Sequence, residues 1–470
     1  MGTAMPLVND VHSRLNPTTV VAVMRPTSID ELRAIVGEAT RAGQALSIAG
    51  GRHAMGGQQF GSGTVLIDMG GFDGVLAFDR QQGVVEVEAG IQWPALIAWL
   101  VANQPAGTPA WGVVQKQTGA DRLSIGGAVS ANIHGRGLAF APLVQDIESF
   151  VLMDASGEMR QCSRSENSRL FSLAVGGYGL FGVIVTVRLR LDRRRRLERV
   201  VTITSVDTLM AELDARRAEG FLYGDFQFMT DEKSPLFMRE GVFASYRPVD
   251  DQDEETDGQR ELDESAWRNL YRLAHSDRAE LYRVYAGFYR STHGQRYWSD
   301  THQLSVYIDG YHEEIDRRSG ATVPHSEMIS ELYVPRSALA NFCLRAREEL
   351  RRLRTPVIYG TVRLIERDRD SVLAWAREPW ACTIFNLCVR HDPAGIAAAG
   401  EVFRALIDCA LAFGGSYFPT YHRWATRTQV ERCHPRLVEF LREKRKHDPD
   451  ERFQSEWYRH YRTMFADQLG

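Results

Sequence analysis

The stretch that decides the fold is Ser47-Ile-Ala-Gly-Gly-Arg-His-Ala-Met-Gly-Gly-Gln58. A short apolar run leads directly into glycines on both sides of Arg52 and His53. Glycine lets backbone N–H groups turn toward a common point and lets an anion approach the main chain. The loop is not a P-loop, since no Gly-Lys-Ser/Thr follows, and it is not the Gly-x-Gly-x-x-Gly of a dinucleotide fold. Taken alone, it fits either a pyrophosphate site or a tight turn beside a strand.

Two further glycine-rich segments follow along the chain. Thr118–Gly137 carries small residues at most of its positions, and Ala174–Gly182 precedes the apolar strand predicted at Val183–Leu191. Ordinary cores fill such positions with Leu, Ile and Val. Small side chains over so long a stretch therefore indicate that something large, such as a flat ring system, lies against the backbone. Three such segments suit an extended dinucleotide that touches several loops.

Together these segments resemble the vanillyl-alcohol oxidase and p-cresol methylhydroxylase family of flavoproteins, over about residues 16–458. The chain is most similar to the sugar, polyol and aldonolactone oxidases and the decaprenylphosphoryl-ribose oxidases of that family. The resemblance implies FAD and an α+β fold of two domains. We expect an FAD-binding domain at 1–195, an antiparallel-sheet substrate domain at 196–417, and a C-terminal segment at 418–470 that returns to the FAD domain.

The resemblance also implies the cofactor contacts. The loop at 50–58 matches the pyrophosphate loop, where many members carry a histidine bonded to the flavin 8α-methyl; here that residue is His53. Segment 124–135 matches the run along the isoalloxazine, and 180–185 matches the strand beside the adenine. The implied cofactor-binding residues are Gly50, Gly51, Arg52, His53, Ala54, Met55, Gly56, Gly57, Gln58, Thr118, Gly119, Ser124, Gly127, Ile133, His134, Gly135, Gly182, Val183 and Ile184.

An enzyme of this kind passes a hydride from an oxygen-bearing carbon to flavin N5, so a group must also take the proton of the hydroxyl. Arg363 matches a family arginine that faces the substrate, although an arginine on a strand is otherwise often half of a structural ion pair. Polyol-oxidising relatives carry a carboxylate two residues earlier, where this chain has Thr361. Tyr421 and His422 stand where relatives place a lysine or another polar group. The implied catalytic residues are Arg363, Tyr421 and His422.

The implied substrate is a small hydroxyl-bearing molecule: a sugar, polyol, lactone or secondary metabolite. The electron acceptor is O₂ or another carrier. In relatives the residue at the position of Ile133 lies near the flavin edge, where a branched side chain obstructs O₂. Three alternatives stay open: a dehydrogenase with a non-oxygen acceptor, one half of an epimerase reaction, and a binding protein that kept the fold and lost turnover.

Composition narrows the partners. The 470 residues include 56 Lys and Arg against 60 Asp and Glu, a net charge of −4, which argues against a nucleic-acid partner. No apolar run approaches the length of a membrane span, so we expect no membrane insertion. The six cysteines have no metal-site or disulfide spacing, so no metal is predicted. The first residues lack a secretory pattern, and we expect a cytoplasmic protein.

Local patterns predict individual elements. Ser28-Ile-Asp-Glu31 is typical of a capped helix start, and 397–413 predicts a long apolar helix that ends at Gly414-Gly415. Aromatic residues are dense between 221 and 307, including Tyr307. We interpret most of them as the core of a sheet, with a pocket for a flat or hydrophobic substrate as the alternative.

Overall fold

The computed structural model describes residues 5–105, 110–250, 259–305, 308 and 310–470. Tyr307 lies outside the described residues. The strands are β1 (Leu7–Val8), β2 (Thr18–Thr19), β3 (Ala22–Met24), β4 (Leu46–Ala49), β5 (Val65–Asp68), β6 (Val75–Asp79), β7 (Val84–Glu88), β8 (Trp111–Val113), β9 (Ile147–Met153), β10 (Met159–Ser163), β11 (Val183–Arg193), β12 (Arg196–Ser205), β13 (Tyr223–Phe228), β14 (Glu240–Val249), β15 (Arg296–Trp298), β16 (His325–Pro335), β17 (Val357–Ile365), β18 (Trp380–Arg390) and β19 (Ser416–Tyr417).

Helices flank these strands. They are α1 (Ile29–Arg41), α2 (Trp93–Ala102), α3 (Ile125–Ala131), α4 (Ser168–Ala174), α5 (Val206–Ala218), α6 (Glu264–Ser276), α7 (Arg278–Ser291), α8 (Tyr311–Ser319), α9 (Leu339–Arg352), α10 (Pro393–Leu411), α11 (Arg427–Cys433), α12 (Leu437–His447), α13 (Glu456–Met464) and α14 (Ala466–Leu469). Among the residues described, no helix combines the length and the apolar character needed to cross a membrane.

A small parallel sheet presents the first glycine loop. Its order is β3-β5-β4, and the predicted strand before the loop is β4. The predicted helix start is confirmed, because the N–H of Glu31 donates to the Ser28 hydroxyl at 3.2 Å at the start of α1. Leu32, Val36 and Ala39 of this helix are buried against the sheet. The glycine loop begins at the residue that follows β4.

Two antiparallel sheets make up most of the remaining strands. One has the order β10-β9-β11-β7-β6, with β8 paired to the end of β11, and the other has the order β15-β12-β14-β13-β17-β18-β16-β19. The chain passes from the first to the second between Arg193 and Arg196. Mixed helices and antiparallel sheets are consistent with the α+β class. The domain limits at 195/196 and 417/418 stay predictions.

The long apolar helix is present, and it begins earlier than predicted. α10 starts at Pro393 because Asp392 caps it, accepting from the N–H of Gly395 at 2.6 Å. It ends at Leu411, just before the predicted glycine stop. Asp392 and Pro393 are a recognisable helix start that the prediction from apolar residues alone did not include.

The prediction of a sheet core for the aromatic residues is correct only for part of them. Those of β13 are buried in the second sheet. Another group lies on helix α7, which has no fully buried residue, yet its aromatic side chains line a cavity. Their spacing of three and four residues places them on one helix face. The cavity-lining aromatics of α7 are Tyr282, Tyr285, Phe288 and Tyr289.

Asn132 joins the end of α3 to the loop between β17 and β18. It is buried and adopts a left-handed conformation with φ of 47°. Its side-chain amide donates to Asp368 at 2.9 Å and accepts from the N–H of Val144 at 2.9 Å. Its carbonyl accepts from the Trp375 indole at 3.0 Å. One asparagine therefore satisfies three partners, which come from two other segments of the chain.

We expect Asn132→Ala to lower the free energy of unfolding by about 3–5 kcal/mol, from the strain of a left-handed alanine and the loss of buried hydrogen bonds. Asn167→Ala is the matched control, since Asn167 has φ of 44° but is exposed. Its cost should be about 1–2 kcal/mol, mainly strain. Denaturant unfolding of both variants measures the difference; equal costs would contradict a linking role for Asn132.

Candidate active site

A cavity of about 1130 Å³ is lined by the glycine segments, by strands of the second sheet and by helices α6 and α7. Sites for one small molecule usually measure about 300–1,000 Å³. The larger volume leaves room for a sizeable cofactor and a substrate together.

The first two glycine segments meet at the wall of this cavity. A Cβ added to Gly50 would lie 2.0 Å from the Ser124 hydroxyl, and one added to Gly51 would lie 2.2 Å from the Arg122 carbonyl oxygen. Both distances are far below van der Waals contact, so any side chain would force the segments apart. The backbone of Arg122 therefore requires glycine at position 51, and the side chain of Ser124 leaves no space for a Cβ at position 50.

The first loop also carries backbone donors that the described part of the chain does not use. None of the described hydrogen bonds has the N–H of residues 51–55 as its donor. Arg52 has φ of 59°, and its guanidinium pairs with Asp68 at 3.0 Å. Unpaired N–H groups along a turn are the donor set that phosphate oxygens take. The loop therefore fits the pyrophosphate of a dinucleotide.

His53 lies in this loop beside a second histidine that the sequence pattern did not reveal. Its Nδ1 is 2.7 Å from Nε2 of His12. Burial lowers the pKa of His53 to about 3, and His12 adds to the shift. Burial also lowers the pKa of His12. His53 is therefore neutral at physiological pH, the form in which an imidazole nitrogen is a nucleophile.

Arg363 lies on β17 and lines the cavity with 5% of its surface exposed. Its Nη2 donates to the hydroxyl of Thr118, which belongs to the second glycine segment. Its Nε and the hydroxyl of Thr361 have no partner among the described residues. No carboxylate pairs with Arg363 in the described part of the chain, so the simple ion-pair interpretation is not supported.

Glu331 of β16 is the functional candidate that sequence reasoning missed. It lines the cavity, and its carboxylate oxygen Oε1 accepts from Tyr333 at 2.6 Å and lies 2.6 Å from Nε2 of His134. Burial acts to raise the pKa of Glu331, but His134 and the hydrogen-bond donors outweigh it and hold the pKa below its usual value. The second oxygen, Oε2, has no partner among the described residues. Glu331 is thus an ionised, buried carboxylate with one unused acceptor.

Tyr421 faces the same carboxylate. Burial raises the pKa of Tyr421 well above its usual value, and the neighbouring Glu331 raises it further. The phenol therefore stays protonated and serves as a donor. Tyr421 and Arg363 both line the cavity. Their predicted catalytic roles stay predictions.

His422, unlike Arg363 and Tyr421, does not line the cavity. Its ring packs against Phe403, Tyr417 and Trp424. It is 2% exposed and is not among the residues that line the cavity. The chain bends at this point after β19, and Tyr421 faces the cavity while His422 faces the core beside α10.

Among the described residues, His134, Glu331 and Cys382 form a compact group that could hold a metal ion, with ligand atoms within 4.8 Å of one another. The thiol of Cys382 lies 3.3 Å from Glu331 Oε1, and His134 lies at hydrogen-bond distance from the same oxygen. We interpret the group as a proton-sharing network around Glu331. Widely separated residues on three segments gave the sequence no metal pattern to detect.

Comparison with known proteins agrees with this geometry. Residues 20–163 match a family model described as an FAD binding domain. An uncharacterized oxidoreductase from the fasciation locus of Rhodococcoides fascians is 30% identical over 186 residues, 39% of each chain. L-gulonolactone oxidase of Bos taurus is 26% identical over 202 residues, 42% of this chain and 44% of that protein. L-gulono-1,4-lactone dehydrogenase of Mycobacterium tuberculosis is 31% identical over 182 residues, 37% of this chain and 41% of that protein.

Residues 20–163 of the chain therefore match an FAD binding domain, and the named relatives include oxidases and dehydrogenases. The alignments span less than half the length of each of these relatives. The family resemblance inferred from the glycine segments is confirmed.

Most of the expected FAD contacts of this flavoprotein line the cavity. The exceptions are Gly56, Gly57, Gly135 and Val183, which are not among the residues that line it. The remaining ones are Gly50, Gly51, Arg52, His53, Ala54, Met55, Gln58, Thr118, Gly119, Ser124, Gly127, Ile133, His134, Gly182 and Ile184. Their roles toward the cofactor stay predictions.

We expect the free energy of unfolding of this flavoprotein to fall as the pH drops below about 6.5. Burial lowers the pKa values of His53, His422 and His434 to about 3 from 6.5. Between these values the unfolded chain binds more protons, so stability rises with pH and is lost on acidification. Each histidine contributes up to about 1.4 kcal/mol per pH unit.

His422→Phe should reduce that slope by the share of one histidine, because phenylalanine fills the same aromatic cage without titrating. His447→Phe, at an exposed site, is the control and should leave the slope close to that of the parent. Denaturant unfolding across the range provides the measurement. An unchanged slope in His422→Phe would show that its ring is protonated in the folded protein.

Proposed function

We propose that the protein is an FAD-dependent oxidoreductase that oxidises a hydroxyl-bearing carbon. The observation that supports this most is the convergence of Arg363, Glu331 and Tyr421 on the cavity that the FAD segments border. When bound, FAD would accept a hydride from the substrate carbon. The glycine loop at 50–58 and the segment 118–135 would hold it.

The proposal assigns the proton of the substrate hydroxyl to Glu331. This carboxylate is ionised, and its Oε2 has no partner among the described residues. Tyr421 stays protonated and donates a hydrogen bond that orients the hydroxyl. Arg363, whose Nε is unused in the described structure, holds a substrate oxygen. A general base of this kind typically contributes about 10²–10⁴-fold to the rate.

The lining of the cavity favours a polar substrate. Gln227 and Asn386 each carry a buried amide oxygen without a partner among the described residues, and both line the cavity. Amides and tyrosine hydroxyls suit the hydroxyl groups of a sugar, polyol or lactone. The names of the bovine and mycobacterial relatives, which refer to gulonolactones, support the same class.

The position of Ile133 affects which electron acceptor can reach the flavin. It is 6% exposed and lines the cavity beside His134 in the second glycine segment. By the family resemblance, a branched side chain here obstructs O₂ at the flavin edge. We therefore favour a dehydrogenase that passes electrons to another acceptor over a fast oxidase; stopped-flow reoxidation in air distinguishes the two.

We expect anaerobic addition of the correct sugar, polyol or lactone to bleach the flavin absorbance, and Glu331→Gln to slow that bleaching by about 10²–10⁴-fold. Glutamine keeps the shape but cannot take the proton. FAD content should be nearly unchanged, since the effect concerns the substrate proton.

Glu327→Gln is the matched control, because Glu327 lies on the same face of β16 and its carboxylate bonds His275 and Tyr311. It should slow bleaching far less than Glu331→Gln. Equal rates in the parent and Glu331→Gln would remove Glu331 from the reaction. Flavin that no candidate substrate bleaches would favour a binding protein without turnover.

We also propose that FAD is attached through His53. The intact chain should then carry the added mass of FAD after denaturation in acid, and His53→Ala should carry none. His12→Phe should retain FAD but attach it more slowly, because His12 is placed to accept the ring proton of His53. Mass spectrometry of the denatured chains shows whether each variant carries the added mass of FAD. A parent chain without that mass would contradict attachment.

A further inference from the structure

One end of the cavity holds a partly buried cation, Arg199, without a carboxylate partner in the described structure. Arg199 of β12 lines the cavity, and its guanidinium lies 4.4 Å from the centre of the Tyr297 ring and 5.2 Å from that of Tyr289. Its Nε donates to the hydroxyl of Tyr246 and its Nη1 to that of Thr292, both at 3.0 Å. All of these partners are neutral.

The guanidinium of Arg199 has N–H donors that no described residue accepts. An arginine has five N–H donors, and the described hydrogen bonds use those of Nε and one on Nη1. No described residue accepts a hydrogen bond from Nη2. Tyrosine faces compensate a cation in part through cation–π contacts, but a guanidinium partly withdrawn from water into a cavity wall still favours an anionic partner. Such a group is stabilised when an anion enters beside it.

A second set of unused polar atoms lies next to Arg199. Arg136 is 9% exposed and lines the cavity, and its Nε has no partner among the described residues. Both ring nitrogens of His302, which is 7% exposed, are also without partners there. Burial, together with Arg136 and Arg199, lowers the pKa of His302 well below its usual value, so its ring is neutral.

Among the described residues, the positive charges of Arg136 and Arg199 are not both balanced by a nearby carboxylate. Asp225 lies 3.8 Å from Arg136 and accepts from the Gln227 amide at 2.7 Å, so it offsets Arg136. Because Asp225 pairs with Arg136, it does not form an ion pair with Arg199 among the described contacts. Glu261 is an acidic residue on the adjoining segment of the cavity wall, and no described ion pair joins it to Arg199. Among the described residues, Arg199 therefore has no carboxylate of its own.

We propose that this end of the cavity is a subsite for an anionic group of the substrate, a carboxylate or a phosphate, bound by Arg199. The inference rests on the proposed function and narrows it: the oxidised molecule is a hydroxyl-bearing acid or phosphate ester. Arg199 binds the anion by charge-assisted hydrogen bonds, while Arg136 and His302 supply further polar contacts.

The test is calorimetric titration of the purified full-length protein with two matched pairs: D-gluconate against sorbitol, and glucose 6-phosphate against glucose. We expect at least one anion to bind about tenfold or more tightly than its neutral partner, as charge-assisted bonds provide. Preference for gluconate identifies a carboxylate, and preference for the phosphate ester identifies a phosphate.

Arg199→Gln should abolish the preference, and Arg199→Lys should keep part of it. Arg247→Gln is the matched control, because Arg247 on the adjacent strand pairs with Glu198 and is exposed. Circular dichroism confirms folding of each variant. Equal binding of anion and neutral partner in both pairs would overturn the proposal, as would a preference that survives in Arg199→Gln.

FAD content of the same samples separates the two claims. Yellow protein that neutral alcohols bleach, with no preference for anions, would overturn the subsite and leave the oxidoreductase. Colourless protein that prefers anions through Arg199 would overturn the oxidoreductase and leave the anion site.

Discussion

The structure depends on the contact between Gly50 and Gly51 and the segment at Arg122 and Ser124. Gly51 approaches the Arg122 backbone and Gly50 approaches the Ser124 side chain so closely that neither glycine leaves space for a Cβ. This contact positions the first loop at the end of a parallel sheet and the second segment at the start of α3. The cavity lies along the seam, with unused N–H groups on one side of it. A single steric constraint thus accounts for both the glycines and the site.

A second interaction ties the substrate side of the cavity to this seam. His134 belongs to the second glycine segment, and Glu331 belongs to the eight-stranded sheet. Their contact at 2.6 Å holds a charged carboxylate in a buried position that would otherwise favour its neutral form. The histidine that contacts Glu331 therefore comes from the segment expected to run along the flavin. The proposed proton acceptor and the proposed cofactor site are positioned by one hydrogen bond.

The sequence was sufficient for features that depend on local chemistry. Glycine runs, the Ser28 cap and the apolar period of α10 each indicate their structure directly. It was insufficient for Glu331, His12 and Arg199, because their significance comes from partners far away in the chain. The aromatic residues of α7 illustrate the same limit. Their helical spacing was present in the sequence, but the choice between a sheet core and a cavity wall depends on which neighbour the helix packs against. His422 was predicted to be catalytic because it is next to Tyr421 in the sequence. In the structure Tyr421 lines the cavity, whereas His422 packs into the aromatic core.

The central claim is that the cavity along the glycine seam holds one FAD per chain. The most direct measurement is the ratio of FAD to protein in the purified chain, from its visible absorption spectrum after incubation with added FAD. The account predicts a flavin spectrum and a ratio near one. Colourless protein that takes up no FAD would contradict it.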